Sequence, residues 1–220
     1  MRLDLRAIAL AVSTTCGLCV WACSESSSNP PAEDAGTDDA APSGSSGEGS
    51  SSGSSGTSGT PPAALTARAE IRPTSEASTV QGTAEFIEQG SVVFVNIDIT
   101  SSGGTPGEHG IHIHENPSCD PVDGGPGLGA GGHWNPAGVP HGHPSQEPHH
   151  VGDLGNIVID DAGTGSVKLT FPATKFYVHD GPLSVVGHAI VYHEQRDDGV
   201  SQPVGNAGGR PGCGVIQRVE

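Results

Sequence analysis

Positive charge is scarce in this 220-residue chain: nine Lys and Arg stand against 25 Asp and Glu, a formal net charge of −16. Such a surface repels polyanions, which argues against nucleic acid and anionic membrane surfaces as electrostatic partners. An anionic substrate would need a local positive charge to correct the average. Aromatic residues are also few, at 4%, whereas Gly (34) and Pro (18) are abundant. That balance implies many turns and argues against an architecture of long helices. The run Ala7 to Val20 is apolar but short for a bilayer span. No internal repeat occurs. Cysteine is sparse and uneven: Cys16, Cys19 and Cys23 crowd the first residues, and beyond them stand Cys119 and Cys213.

What is present falls into three parts. Residues 1–23 read as an export signal, with Arg2 and Arg6 before the apolar run. The run ends in Val20-Trp21-Ala22-Cys23, which resembles the bacterial lipoprotein cleavage box, although Trp21 replaces the small residue usual there. In that reading Cys23 becomes a lipidated N-terminus; the alternative is an ordinary cleaved secretory peptide. Either way the mature protein is expected outside the reducing cytosol, in the periplasm or cell envelope, and in the lipoprotein reading it touches the membrane only through the lipid anchor. Residues 24–64 are rich in Ser, Gly, Pro and Ala without apolar periodicity, as expected of a disordered tether. A flexible coil of that length reaches roughly 35 Å. Residues 65–220 form the expected domain, with seven Lys and Arg against eighteen Asp and Glu.

Within that domain the apolar residues alternate. Strands are predicted over Leu65–Arg72, Thr79–Glu88, Ser91–Ile99, His109–Glu115, Leu154–Ile159, Ser166–Phe171, Ser184–His193 and Cys213–Val219. Glu88-Gln89-Gly90 and Asp160-Asp161-Ala162-Gly163 supply turns. Asn116 to His150 is a long segment of Gly, Pro, Asp and His, and loops of that length are usually functional or disordered. Roughly eight strands with short turns and two long loops predict an all-β antiparallel barrel or sandwich. Cys119 and Cys213 are far apart in sequence. A disulfide between them stabilises by on the order of 4–5 kcal/mol in the chain-entropy model, and two free thiols are the alternative.

All 11 histidines lie between His109 and His193. Such clustering favours a metal or proton-transfer site. In His109-Gly110-Ile111-His112-Ile113-His114-Glu115, the period of two puts His112 and His114 on one strand face, about 6.5–7 Å apart, and Ile111 and Ile113 on the other. His109 shares the isoleucine parity and reads as a packed structural histidine.

Further motifs follow: Gly132-His133-Trp134-Asn135-Pro136, His150-Val151-Gly152-Asp153-Leu154-Gly155-Asn156, His193-Glu194, and Gly205-Asn206-Ala207-Gly208 leading to Arg210 and Cys213-Gly214-Val215-Ile216. Together, in this order, they resemble the copper–zinc superoxide dismutase family over Ala64 to Gln217. The resemblance implies an eight-stranded Greek-key β-barrel and an enzyme that converts superoxide to dioxygen and hydrogen peroxide. It implies copper on His112, His114, His133 and His193, and zinc on His133, His141, His150 and Asp153, with His133 bridging the two. It further implies a Cys119–Cys213 disulfide, Arg210 beside copper to dock the superoxide anion, and Asp197 linking one copper ligand, His112, to one zinc ligand, His141. Imidazoles suit copper in both oxidation states, and three histidines with one carboxylate make a closed zinc set.

Some assignments stay open on sequence. His143 stands two positions from His141 and offers an alternative ligand. His143 and His149 read as solvated, with weak auxiliary metal binding as the alternative; His179 and His188 read as surface or packing residues. The stretch Cys119 to Gly132 is longer and richer in glycine than the familiar pattern, as in some bacterial members. The loop Gly199 to Val204 lacks the lysine and glutamate cluster that steers substrate in animal enzymes. No dimer surface is recognisable, which leaves monomer and homodimer both open. The rival reading is a non-catalytic copper- or zinc-binding envelope module on the same fold.

Overall fold

A computed structural model describes residues 63–100 and 105–220. The expected export signal, Cys23 and nearly all of the expected tether lie outside the described residues.

The alternation seen in sequence places the core. Val93, Val95, Ile97 and Ile99 of one strand are each at most 2% exposed, and Ala67, Ala69, Ile71, Ala84 and Phe86 from two other strands share one core with them. With so few aromatics, the barrel is filled by β-branched residues around the rings of Phe86, Phe171 and Phe176. The strands are β1 (Leu65–Pro73), β2 (Gly82–Gln89), β3 (Val92–Ile99), β4 (Gly107–His114), β5 (Asp153–Ile159), β6 (Gly165–Pro172), β7 (Ala189–Tyr192), β8 (Gly212–Val215) and the two-residue β9 (Gln217–Arg218). Their hydrogen-bonded order is β5-β4-β7-β8-β1-β2-β3-β6, with β9 on β1. Every pair is antiparallel. The two edge strands, β5 and β6, are consecutive in the chain. Their turn is closed by Asp160 N–H to Thr164 O at 2.8 Å. The sheet therefore curls into a nearly closed barrel, which limits exposed edges. The chain leaves the β1-β2-β3 meander to enter β4 on the far side, then returns from β6 to β7, the Greek-key crossings expected.

Three strands differ from expectation by three or more residues or by a break, each where a hydrogen bond outside the ladder competes with it. The expected strand from Thr79 begins at Gly82, because Ser78 Oγ turns to the Pro211 carbonyl (2.7 Å) and accepts from Val80 N–H. Val80 keeps its inward position. The expected strand from Ser184 begins at Ala189. Residues 184–188 instead turn, with His188 N–H donating to Val185 O. The C-terminal strand breaks at Ile216, whose N–H donates to His188 O. On either side of the break, β1 keeps one register, Arg72 opposite Cys213 and Ala67 opposite Arg218.

Candidate metal centre

The centre is built outward from β4. Ile111 and Ile113 point into the core, and His112 and His114 point out of the barrel; all four are 0% exposed. Burial of both faces means that loops cover the outer one. A register shift between Gly110 and His112 interrupts the ladder to β5. A side chain at Gly110 would meet the His112 ring at 3.0 Å, so glycine leaves that ring its place. His109 keeps the isoleucine parity, as read from sequence. It is 4% exposed, stacks on Tyr192 at 5.0 Å, and faces the carbonyls of His193 (3.0 Å) and Thr105 (2.6 Å).

The long loop reaches β4 by imitating a strand. His114 and His133 form an antiparallel bridge, Glu115 N–H donates to Gly132 O, and Trp134 N–H donates to Ile113 O at 2.8 Å. Ile113 N–H in turn donates to Gly152 O, and a Cβ at Gly152 would sit 3.0 Å from Trp134 N. Glu115, which sequence reasoning assigned no role, accepts Gly132 N–H on Oε1 at 3.0 Å. Cys119 and Cys213 are joined in a disulfide, their Cα atoms 5.7 Å apart, and it ties this loop to β8. The free-thiol alternative is thereby removed.

These contacts bring two sets of donors together. His112, His114, His133 and His193 offer nitrogens that all lie within 4.8 Å of one another, and so do the donors of His133, His141, His150 and Asp153. Every one of these residues is buried. In the first set, the outer nitrogens have acceptors. His112 Nε2–H donates to Asp197 Oδ2 (2.8 Å), His114 Nδ1–H to Gly131 O (3.0 Å) and His193 Nδ1–H to Gly208 O (3.4 Å). Those bonds assign the tautomers and turn the lone pairs of His112 Nδ1, His114 Nε2 and His193 Nε2 inward. His112 Nδ1 and His133 Nε2 are buried with no hydrogen-bond partner. His114 Nε2 and His193 Nε2 face each other at 3.4 Å. Converging unpaired imidazole nitrogens fit a soft cation and little else.

The second set surrounds one oxygen. Asp153 Oδ1 lies 2.8 Å from His133 Nδ1, 3.0 Å from His141 Nδ1 and 3.2 Å from His150 Nδ1. The Nδ1 atoms of His141 and His150 lack hydrogen-bond geometry despite that proximity. Donors of a tetrahedral zinc ion with bonds near 2.0–2.1 Å stand about 3.3 Å apart. The residues therefore fit zinc with three histidines and one carboxylate. Asp153 Oδ2 is held by His150 N–H (2.8 Å) and Gly142 N–H (3.2 Å), which orients the carboxylate. His143 is exposed and bonds Ser145, so His141 is the residue that the fold delivers.

Asp197 joins the two sets. Its Oδ2 accepts from His112 and its Oδ1 from His141 Nε2–H at 3.0 Å. Asn156 pairs reciprocally with the Asp197 backbone, at 2.8 and 2.9 Å. Gly205, at φ +67°, packs against this bridge, where a Cβ would stand 2.6 Å from His141 Nε2. Asn156 belonged to a recognised motif without an assigned part, and no motif pointed to Gly205 in this role.

Electrostatics follow from burial. Burial pushes His112 down to about 4, and the Asp197 bond opposes it only in part. His114 and His193 are held well below the usual histidine range, again chiefly by burial. These imidazoles are neutral near pH 7, as metal ligands must be. Burial also disfavours charge on His141, but the Asp153 carboxylate beside Nδ1 and the hydrogen bond to Asp197 win and raise it to about 9. Burial would raise both aspartates; histidine hydrogen bonds hold them below the usual carboxylate range.

Arg210 is half-buried, with Nη1 donating to Gly127 O at 3.2 Å and its own carbonyl accepting from Thr74 Oγ1. Its charge contributes to the lowering of His114 and His193. One histidine reading is corrected. His149 is not solvated: its side chain is 7% exposed, Nδ1–H donates to Gln146 O, and Nε2 accepts from Lys175 Nζ at 2.7 Å. His188 packs on Trp134 at 4.1 Å, and His179 lies against Tyr177 and Glu88.

Comparison with known proteins agrees with this geometry. The profile of the family described as copper/zinc superoxide dismutase (SODC) matches residues 80–216. A curated protein of Deinococcus radiodurans named superoxide dismutase [Cu-Zn] is 38% identical over 165 residues, covering 70% of this chain and 85% of the relative. Among solved structures, the crystal structure of the clock protein EA4 aligns at a TM-score of 0.58 and 36% identity, over 69% of this chain and 93% of that one. A barrel of this topology, two donor sets meeting at one histidine and a match across most of the domain lead to one assignment: the chain belongs to the copper/zinc superoxide dismutase family, an enzyme whose metals are copper and zinc.

Proposed function

We propose that this dismutase holds copper on His112 Nδ1, His114 Nε2, His133 Nε2 and His193 Nε2, and zinc on His133 Nδ1, His141 Nδ1, His150 Nδ1 and Asp153 Oδ1. The observation that carries this reading is His133, whose two nitrogens face the two donor sets. Bound copper would supply one-electron exchange, by which one superoxide anion gives up an electron and leaves as dioxygen and a second takes that electron with two protons and leaves as hydrogen peroxide; bound zinc would supply fixed charge.

The rest of the work falls to the chain. His133 serves both sides only as an imidazolate, and two adjacent dications make that loss of a proton feasible. When that nitrogen is not coordinated, Nε2 would be the atom at which the protein holds one of the two protons for the forming peroxide, the other coming from solvent. Arg210 attracts and orients the anion, a local cation in a domain of net negative charge. The Gly127 carbonyl and Thr74 hold that arginine in place. Asp197 fixes the tautomers of one residue in each set, so that both imidazoles present lone pairs.

The same reading takes residues 1–23 as an export signal and Cys23 as a lipid anchor, with residues 24–64 as the tether. The Arg2/Arg6 n-region, the apolar run and the disulfide support an oxidising, extracytoplasmic location. Mass spectrometry of the membrane fraction checks it, through an acylated N-terminal peptide beginning at Cys23 that is lost in Cys23→Ser.

The direct test of the centre is metal analysis paired with a superoxide assay. The wild type holds one copper and one zinc per chain and dismutes superoxide. His114→Ala keeps zinc and the fold but loses copper and activity. Full activity in that variant refutes the ligand set, and a wild type that takes up zinc alone favours a non-catalytic module.

A further inference from the structure

The loop between Asp197 and Gly205 carries none of the charged residues expected for steering, but it presents Gln202 to a zinc ligand. Gln202 Oε1 accepts the His141 backbone N–H at 2.8 Å, and Gln202 Nε2 donates to the His141 carbonyl, also at 2.8 Å. The side-chain amide thus pairs with one residue as a neighbouring strand would. The second hydrogen on Nε2 goes to Val200 O at 3.2 Å, so both amide hydrogens are used. Among the described residues, the His141 backbone has no other partner. The loop that delivers Gln202 is internally tied. Asp198 accepts Val200 N–H, Ser201 N–H and Ser201 Oγ–H, Asp197 accepts Gly199 N–H, and Gly205 N–H donates to Ser201 O.

We infer that Gln202 is a positioning residue for zinc: its amide clamps the backbone of His141 and presets that ligand before the metal arrives. The inference rests on the proposed assignment of His141 to zinc. His141 comes from an irregular Gly- and Pro-rich loop, so without the clamp its backbone must be ordered when zinc binds, which lowers affinity. Copper has no ligand on that segment. Outer partners of metal ligands typically contribute about ten- to hundredfold in affinity. Gln202 is exposed and acts through the backbone, which places it at the lower end.

The test is zinc titration of the demetallated full protein against a chromophoric chelator, with copper titrated separately in zinc-free protein. Gln202→Ala is expected to weaken zinc about tenfold and copper by less than about twofold. Gln202→Glu still accepts from the His141 N–H but no longer donates to its carbonyl, and so falls between, at about threefold. Unchanged zinc affinity in Gln202→Ala overturns the inference. An equal loss of copper and zinc also overturns it, because that marks general loosening. His141→Ala separates the underlying assignment: if it binds zinc as tightly as the wild type, His141 is not the ligand and the inference falls with it.

Discussion

Replacing Asp197 by asparagine changes almost no volume and removes one acceptor from the bridge between the two donor sets. One carboxylate oxygen accepts from His112 Nε2–H at 2.8 Å and the other from His141 Nε2–H at 3.0 Å. In Asp197→Asn one of those positions becomes an NH2 group facing an imidazole N–H. The lost bond is charge-assisted, about 1.5–3 kcal/mol, and the buried N–H left without a partner costs about 1–3 kcal/mol more. Asp197 is 2% exposed, so water cannot easily substitute. Part of that penalty relaxes through flipping of the amide or of an imidazole. The remainder, about 3 kcal/mol, corresponds to roughly a hundredfold loss of metal affinity. Zinc is expected to take most of it, because His141 sits on an irregular loop and makes its ring hydrogen bond to Asp197, whereas β4 holds His112. The assay is zinc and copper content after dialysis against graded chelator, with the disulfide intact. A zinc affinity within threefold of the wild type would refute the role assigned to the bridge.

Three further predictions follow from the same geometry. The metal-free protein is expected to lose stability as pH falls from about 6.5 towards 4, because His112, His114 and His193 are depressed and their contribution is present only above the unfolded histidine pKa. His112 alone carries on the order of 3 kcal/mol of that loss. His141 has the opposite sign, raised to about 9, so its contribution is complete below about 6.5 and fades as pH rises through 9; urea midpoints of metal-free protein across pH 4–10 check both, and a flat profile contradicts them. Cys213→Ser opens a loop with a sequence separation of 94 and is expected to cost on the order of 4 kcal/mol or less, read as a lower thermal midpoint that reductant no longer shifts. Arg210→Ala is expected to slow turnover at least tenfold and to flatten its dependence on ionic strength, with copper content unchanged; an unaltered rate contradicts a docking role.

Much of this protein was legible in the residue order, because local periodicity carries it. Val93, Val95, Ile97 and Ile99 alternate, and a half-buried strand is the only simple structure that hides all four. The parity of His109, Ile111 and Ile113 against His112 and His114 needed no partner strand to be read, and both faces behave as that parity requires. The motif spacing singled out His133, His150 and Asp153, and those residues converge.

Tertiary contacts decided the rest. His141 and His143 are equivalent by spacing, and the fold alone turns one to Asp153 and Asp197 while leaving the other in water. His149 is a polar residue in a polar loop; Lys175, distant in sequence, makes it a buried partner. Asn156 and Gln202 act through backbone atoms of residues far along the chain, and Gly205 through the space it leaves for the Asp197 and His141 side chains; none of these leaves a mark on composition or period. The strand ends at Thr79, Ser184 and Ile216 were decided by single competing hydrogen bonds. Covalent spacing and side-chain alternation determine which residues share a face. The long-range closure of loops determines which faces meet, and the metal centre exists only where they do.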